Sequence, residues 1–275
     1  LPVSIDPIIL KAWGSLLKDF TLDPAIVAAM VRLPNEVYLG ELASQKAGIN
    51  VDSIRKAREL VRRYLAQELE EEWLVTYEKF RLHQAYEASG TQIAYRSLSN
   101  LALEFLACQG ESGIELATVQ LAESDNMTDR LSALRVLAFE GNESKREQTL
   151  DSFYQTWKNE TLVVNQWLQV QASIPDNKCL DRIEKLICHE AFDIRNPNKV
   201  RSLIGCYAQN NPTQFHRIDG AGYKFLTEKV IELNSLNPQI AARLLIPLTK
   251  WKNYVGRELL IKDQLEILAN TKNLS

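Results

Sequence analysis

At 275 residues, 45% of them apolar and 24% charged, the chain is long enough for a sizeable core and too apolar to be a disordered segment. Its formal net charge of −3 gives no whole-molecule attraction for nucleic acid. No apolar run reaches the ~18 residues that mark a membrane span.

The first residues, "LPVSIDPIIL", lack the basic start and small-residue cleavage site of a signal peptide. They also lack an initiator methionine, which reads as a processed chain or a piece of a longer one. Helix starts follow in series. Asp6-Pro7, Asp23-Pro24, Asn196-Pro197, Asn211-Pro212 and Asn237-Pro238 each place a capping side chain before a proline. Proline suits the first helical position because its missing N–H would be unpaired there anyway.

Residues 51–79 read as one long helix. Ile54, Ala57, Leu60, Val61, Tyr64, Leu65, Leu69, Trp73, Leu74 and Tyr77 form a stripe at three- and four-residue steps. The basic cluster Arg55, Lys56, Arg58, Arg62 and Arg63 is followed by Glu68, Glu70, Glu71 and Glu72, acids that would repel phosphate, so the basic half reads as a solvated face. From about residue 90 a weak repeat ends in alanine. "LALEFLA" ends at Ala107, "SALRVLA" at Ala138, "QWLQVQA" at Ala172 and "SLIGCYA" at Ala208, and a further step of 34 lands on Ala242. One small-residue inner helix and one variable outer helix per ~34 residues is the arithmetic of a helical solenoid.

Alternating β-branched runs are too short for strands, and 11 glycines leave few sharp turns. The expectation is an all-α chain, an α-solenoid of stacked antiparallel helix pairs (HEAT/armadillo-like), curved with a concave inner face. It is read as one domain over 1–275, with opening helices and the long helix in 1–90 and repeated pairs in 91–275.

Candidate chemistry is sparse. "HEAFD" (189–193) offers Asp193 where a zinc-binding H-E-x-x-H helix needs its second histidine, so His189 reads as helix-end packing. Cys206 and His216 are ten residues apart with nothing to mark a nucleophile–base pair. The acids at 68–72 lack the glycine and ligand spacing of a calcium loop. Cys108, Cys179, Cys188 and Cys206 form no C-x-x-C pair and read as small buried hydrophobes in a reducing compartment. No catalytic residue, metal ligand or cofactor site is assigned to this chain.

"LNSLNPQIAARLLIPL" (233–248) predicts a helix over 238–248 with Asn237 as its cap. Gln239 and Arg243, four apart, share one face of it. If the helix belongs to the inner row, both look into a cavity.

Together with "LDPAIVAAMVRLP" (22–34), "DNMTDRLSAL" (125–134), "NPNKVRSLIG" (196–205) and "FHRIDGAGYKFL" (215–226), that stretch resembles the C-terminal helical domain of the bacterial aminopeptidase N family, from about residue 8 nearly to the end. The resemblance implies a zinc metallo-aminopeptidase of the gluzincin class. Its H-E-x-x-H helix, G-A-M-E-N motif and catalytic tyrosine belong to an upstream catalytic domain and are not in this sequence. It also implies a cytoplasmic protein whose helical domain caps the active site and shapes a chamber for peptide substrates. Gln239 and Arg243 fall on family positions that line the chamber near the downstream part of the peptide, and Arg201 on a further position facing the same channel.

Two other readings stay open from the residues alone. An autonomous helical-repeat scaffold for a protein or peptide partner needs the same stacked helices, and a stand-alone enzyme would use His189 or Cys206. The capping reading adds one expectation: exposed apolar surface near the N-terminal helices, where the catalytic domain of the same polypeptide docks.

Overall fold

The computed structural model describes residues 5–272, and among these the regular structure is helical apart from one isolated bridge between Ile49 and Tyr254. In chain order the helices are α1 (Pro7–Lys18), α2 (Pro24–Met30), α3 (Glu36–Ser44), α4 (Val51–Glu68), α5 (Glu70–Phe80), α6 (Gly90–Leu106), α7 (Glu111–Glu123), α8 (Met127–Glu140) and α9 (Glu143–Trp157). There follow α10 (Thr161–Ser173), α11 (Cys179–Ile187), α12 (Pro197–Val200), α13 (Cys206–Asn210), α14 (Pro212–Phe215), α15 (Ala221–Asn234), α16 (Pro238–Leu244), α17 (Ile246–Thr249) and α18 (Glu258–Ala269). The packing forms two compact units. Among the described residues, one holds those up to Pro34 and Lys56–Ser152; the other holds Asn35–Arg55 and those from Phe153 onward.

In the first unit α5, α6 and α8 stack as layers, and α2 and α1 dock on α6 and α5 respectively. Trp73 and Phe105 stack at 4.3 Å between ring centroids, and the edge of Trp13 meets both. The helix expected over 51–79 is broken at Leu69, which sits between α4 and α5 with φ −118° and ψ 27°. Leu69 is buried, and the Trp73 indole N–H donates to the Leu65 carbonyl at 3.1 Å. A break lets Leu65, Leu69 and Trp73 all turn inward and gives a carbonyl at the end of α4 a donor. The basic cluster is paired more than solvated. Arg62 holds Glu59 and Glu140, Arg63 also holds Glu59, and in the second unit Arg55 holds Glu36.

The second unit packs α10 against the 201–205 segment, α11 and α13, and α15 against α16 and α18. Tyr207, Phe215, Tyr223 and Phe225 fill it with edge-to-face contacts, a geometry favoured by the ring quadrupole. The alanine row is observed at four of its five positions. Ala107, Ala138, Ala172 and Ala208 are buried, whereas Ala242 is exposed and its neighbour Ala241 takes the buried place.

Two glycines permit close helix reversals. A Cβ on Gly113 would stand 2.3 Å from the Leu106 carbonyl oxygen, and one on Gly222 2.2 Å from that of Phe215. Each follows a glycine with positive φ, Gly110 (+111°) and Gly220 (+70°), a conformation that costs a residue with a Cβ.

Candidate functional site

α16 starts as its sequence directs. The Asn237 side chain accepts the Ile240 N–H at 3.2 Å, and Pro238 follows it. The helix is shorter than expected: it stops at Leu244, and α17 begins separately at Ile246 with Pro247 in its first turn. Gln239 and Arg243 are exposed, and Ile240, Ala241 and Leu244 form the buried face. Arg243 lies in the last turn of α16, where the carbonyl ends favour a cation. The positive potential of a helix N-terminus therefore does not assist it.

Arg201 opens a π-helical turn, Arg201–Gly205, set between α12 and α13. Such turns add a residue to a helix and often lie at functional sites. The exposed Arg201 guanidinium donates to the Asn198 side chain. The point that a Cβ on Gly205 would occupy lies 3.7 Å from a Leu244 methyl and 3.9 Å from the Arg201 Cβ. The π turn and α16 are thus neighbours at Gly205 and Leu244. The three polar ends are free of the core and face solvent.

His189 packs beyond the end of α11, its ring against Tyr154 and Trp167 and its Nδ1 accepting the Ala191 N–H. "HEAFD" is not helical, and Asp193 pairs with Arg195. Among the described residues no three His, Cys, Asp or Glu side chains come together as a metal site. His216 is buried, shares a hydrogen bond with the Tyr223 hydroxyl at 2.8 Å and stacks on Tyr254 at 3.7 Å. It is not paired with Cys206. Cys179 and Cys206 are buried, Cys108 is half-buried and Cys188 is exposed, so the buried reading fails for Cys188, which caps the end of α11. Burial pushes the Cys108 and Cys179 thiols up to about 12, which keeps them protonated and unreactive.

A polar cleft of about 360 Å³ in the first unit was not foreseen. Its floor is a row on α6, Gln92, Arg96 and Ser99, and its walls are the 81–86 loop and the turn from Glu123 to Asp129. Arg96 is only 4% exposed. Its guanidinium donates to Gln92 Oε1 at 2.8 Å and to the Glu87 carbonyl at 3.3 Å, with the Tyr86 ring 4.9 Å away. The signal was present in "TQIAYRSLSN": polar residues four and seven apart on a helix that otherwise buries leucines.

The family whose model matches residues 2–275 is described as a domain of unknown function, DUF3458_C, of ARM repeats. The chain belongs to this family. Similar curated proteins are the aminopeptidase N of Haemophilus influenzae, 36% identical over 274 residues, and that of Escherichia coli, 36% identical over 277 residues. The match covers 99% and 100% of this chain respectively, yet the DUF3458_C chain spans only 31% of the length of each relative. Among solved structures, Legionella pneumophila aminopeptidase A in complex with aspartic acid superposes with a TM-score of 0.87 at 26% identity. That match covers 98% of this chain and 33% of the Legionella one. No helix among the described residues of this DUF3458_C chain is long and apolar enough to cross a membrane.

Proposed function

We propose that the chain is the C-terminal helical domain of a zinc aminopeptidase, a hydrolase that removes N-terminal residues from peptides in the cytoplasm. The observation that carries this reading is identity of 36% over the whole chain to two proteins named aminopeptidase N, each about three times as long. In this reading zinc and the catalytic groups belong to a catalytic domain of the same polypeptide, and the present chain caps the site and shapes the substrate chamber. The exposed Ile8, Ile26 and Met30 on α1 and α2 are the kind of apolar surface such a domain would cover.

Gln239, Arg243 and Arg201 are then substrate-binding residues for the downstream part of the peptide. Their support is that they share neighbouring segments and hold their polar ends in solvent. A guanidinium offers fixed, directional donors to a peptide carbonyl or carboxylate. The test is Arg243→Ala in the full-length polypeptide that carries this chain. A single aminoacyl chromogen should be hydrolysed unchanged, while kcat/KM for a tetrapeptide should fall roughly tenfold, the worth of one charge-assisted hydrogen bond. Unchanged kinetics for both substrates, or an equal loss for both, would sink the assignment.

A further inference from the structure

We propose that the cleft floored by α6 binds a free α-amino acid, its carboxylate on Arg96 and its ammonium group on Asp125. The inference stands on the cleft alone and not on the peptidase reading. The cleft lies at the lower end of the volumes of small-molecule sites, roughly 300–1,000 Å³, and its lining is rich in amide, hydroxyl and charged groups. That lining suits a small polar ligand.

The charges around it pair off unevenly. Arg81 and Glu123 satisfy each other at 2.6 Å. Asp129 is held by amide donors, Asn100 Nδ2 at 2.7 Å and Asn126 Nδ2 at 2.8 Å. Asn100 and Tyr77 both tie in Gln120, which also donates to the Asp129 carbonyl. That network is closed.

Besides Asp129, whose carboxylate has two amide donors, two opposite charges of the lining are without an ion pair among the described residues. Arg96 is buried and donates only to neutral acceptors, although a guanidinium has five donors in a planar fork suited to a carboxylate. Asp125 accepts the Tyr86 N–H at 2.9 Å and an Asn126 N–H at 3.3 Å. Those hydrogen bonds, Asn126 first and Tyr86 next, hold its carboxyl below the usual range, and the Arg96 charge adds to them.

Tyr86 fixes the two groups to one residue, its N–H on Asp125 and its ring beside the Arg96 guanidinium. A simple anion would satisfy Arg96 but bring its charge near Asp125 and Asp129. A simple cation would leave Arg96 as it is. A free α-amino acid carries both signs on one α-carbon, and a longer peptide separates them.

The experiment is calorimetric titration of the chain with L-alanine, acetate and methylammonium in turn. L-Alanine should bind, with acetate and methylammonium each about tenfold weaker or more, since each keeps only one of two charge-assisted contacts. Asp125→Asn retains an acceptor for the Tyr86 N–H at an exposed position, so its unfolding curve should match the wild type while its affinity for L-alanine falls about tenfold. Acetate binding as tightly as L-alanine would overturn the proposal, as would undiminished binding by Asp125→Asn. Absence of any L-alanine binding would overturn it equally. None of these outcomes depends on peptide turnover.

Discussion

Asn211 illustrates how one residue type serves different ends. Four of the five Asp/Asn-Pro pairs cap their helices through the side chain, as the sequence pattern predicts. At Asn211 the proline still opens α14, but the side chain makes no cap. Its amide instead donates to the Ala172 and Ile174 carbonyls, both at 3.0 Å, where α10 ends. His216 shows burial at work on a titratable group. Burial first, and the Arg257 charge second, lower its pKa from 6.5 to about 3. Below pH 6.5 the unfolded chain takes up a proton that the folded chain refuses, so this stabilisation is complete above 6.5 and is lost as pH falls toward 3. The slope approaches about 1.4 kcal/mol per pH unit. Urea unfolding at pH 7 and pH 5 should therefore show the stability advantage of wild type over His216→Gln shrinking by about 2 kcal/mol. An advantage that stays constant with pH would mean that His216 titrates normally in the fold.

At the scale of elements, close approach decides what the apolar pattern leaves open. Gly113 brings α7 against the end of α6, and a methyl there would meet the Leu106 carbonyl at 2.3 Å. Gly113→Ala should cost about 1–3 kcal/mol, as overpacking does. Gly90 opens α6, and a Cβ added to it would meet nothing within 4 Å, so Gly90→Ala should stabilise by roughly 0.4–1 kcal/mol through the unfolded chain. Thermal unfolding of the two variants side by side checks the contrast in sign. The periodicity of 51–79 and 238–248 located the helices, but not the breaks at Leu69 and Leu245. A helical stripe reads the same whether the helix is continuous or kinked, because the break answers to the neighbours that Leu69 and Trp73 find inside the first unit. The π turn at 201–205 was hidden for the same reason.

For the molecule as a whole, sequence order and packing order differ. Residues 35–55 join the second unit through Ile49, whose N–H donates to the Asn253 carbonyl at 2.6 Å and whose carbonyl accepts the Val255 N–H at 3.0 Å. An ion pair between Asp52 and Arg257 adds to this tie. A chain ended after Ser152 keeps every residue of the first unit but removes those partners. Hydrogen exchange on it should find α5, α6 and α8 protected and residues 35–55 exchanging freely. Protection of 35–55 in that fragment would show that the segment has a core of its own.

The sequence by itself determined that the chain is helical, where most helices start, that small residues recur near every 34th position, and which family it belongs to. The first three follow from local rules, since caps and prolines act within one turn and apolar spacing reports the buried face of a helix wherever it packs. The family follows from the resemblance of five stretches between 22 and 248. Only the tertiary structure decided that Leu69 breaks a helix, that Ala241 rather than Ala242 is buried, and that Gln92, Arg96 and Ser99 floor a polar cleft. Each of these depends on what a distant segment presents. The Arg96 row becomes a site only because the 81–86 loop and the turn after α7 stand over it, and no spacing along α6 records that.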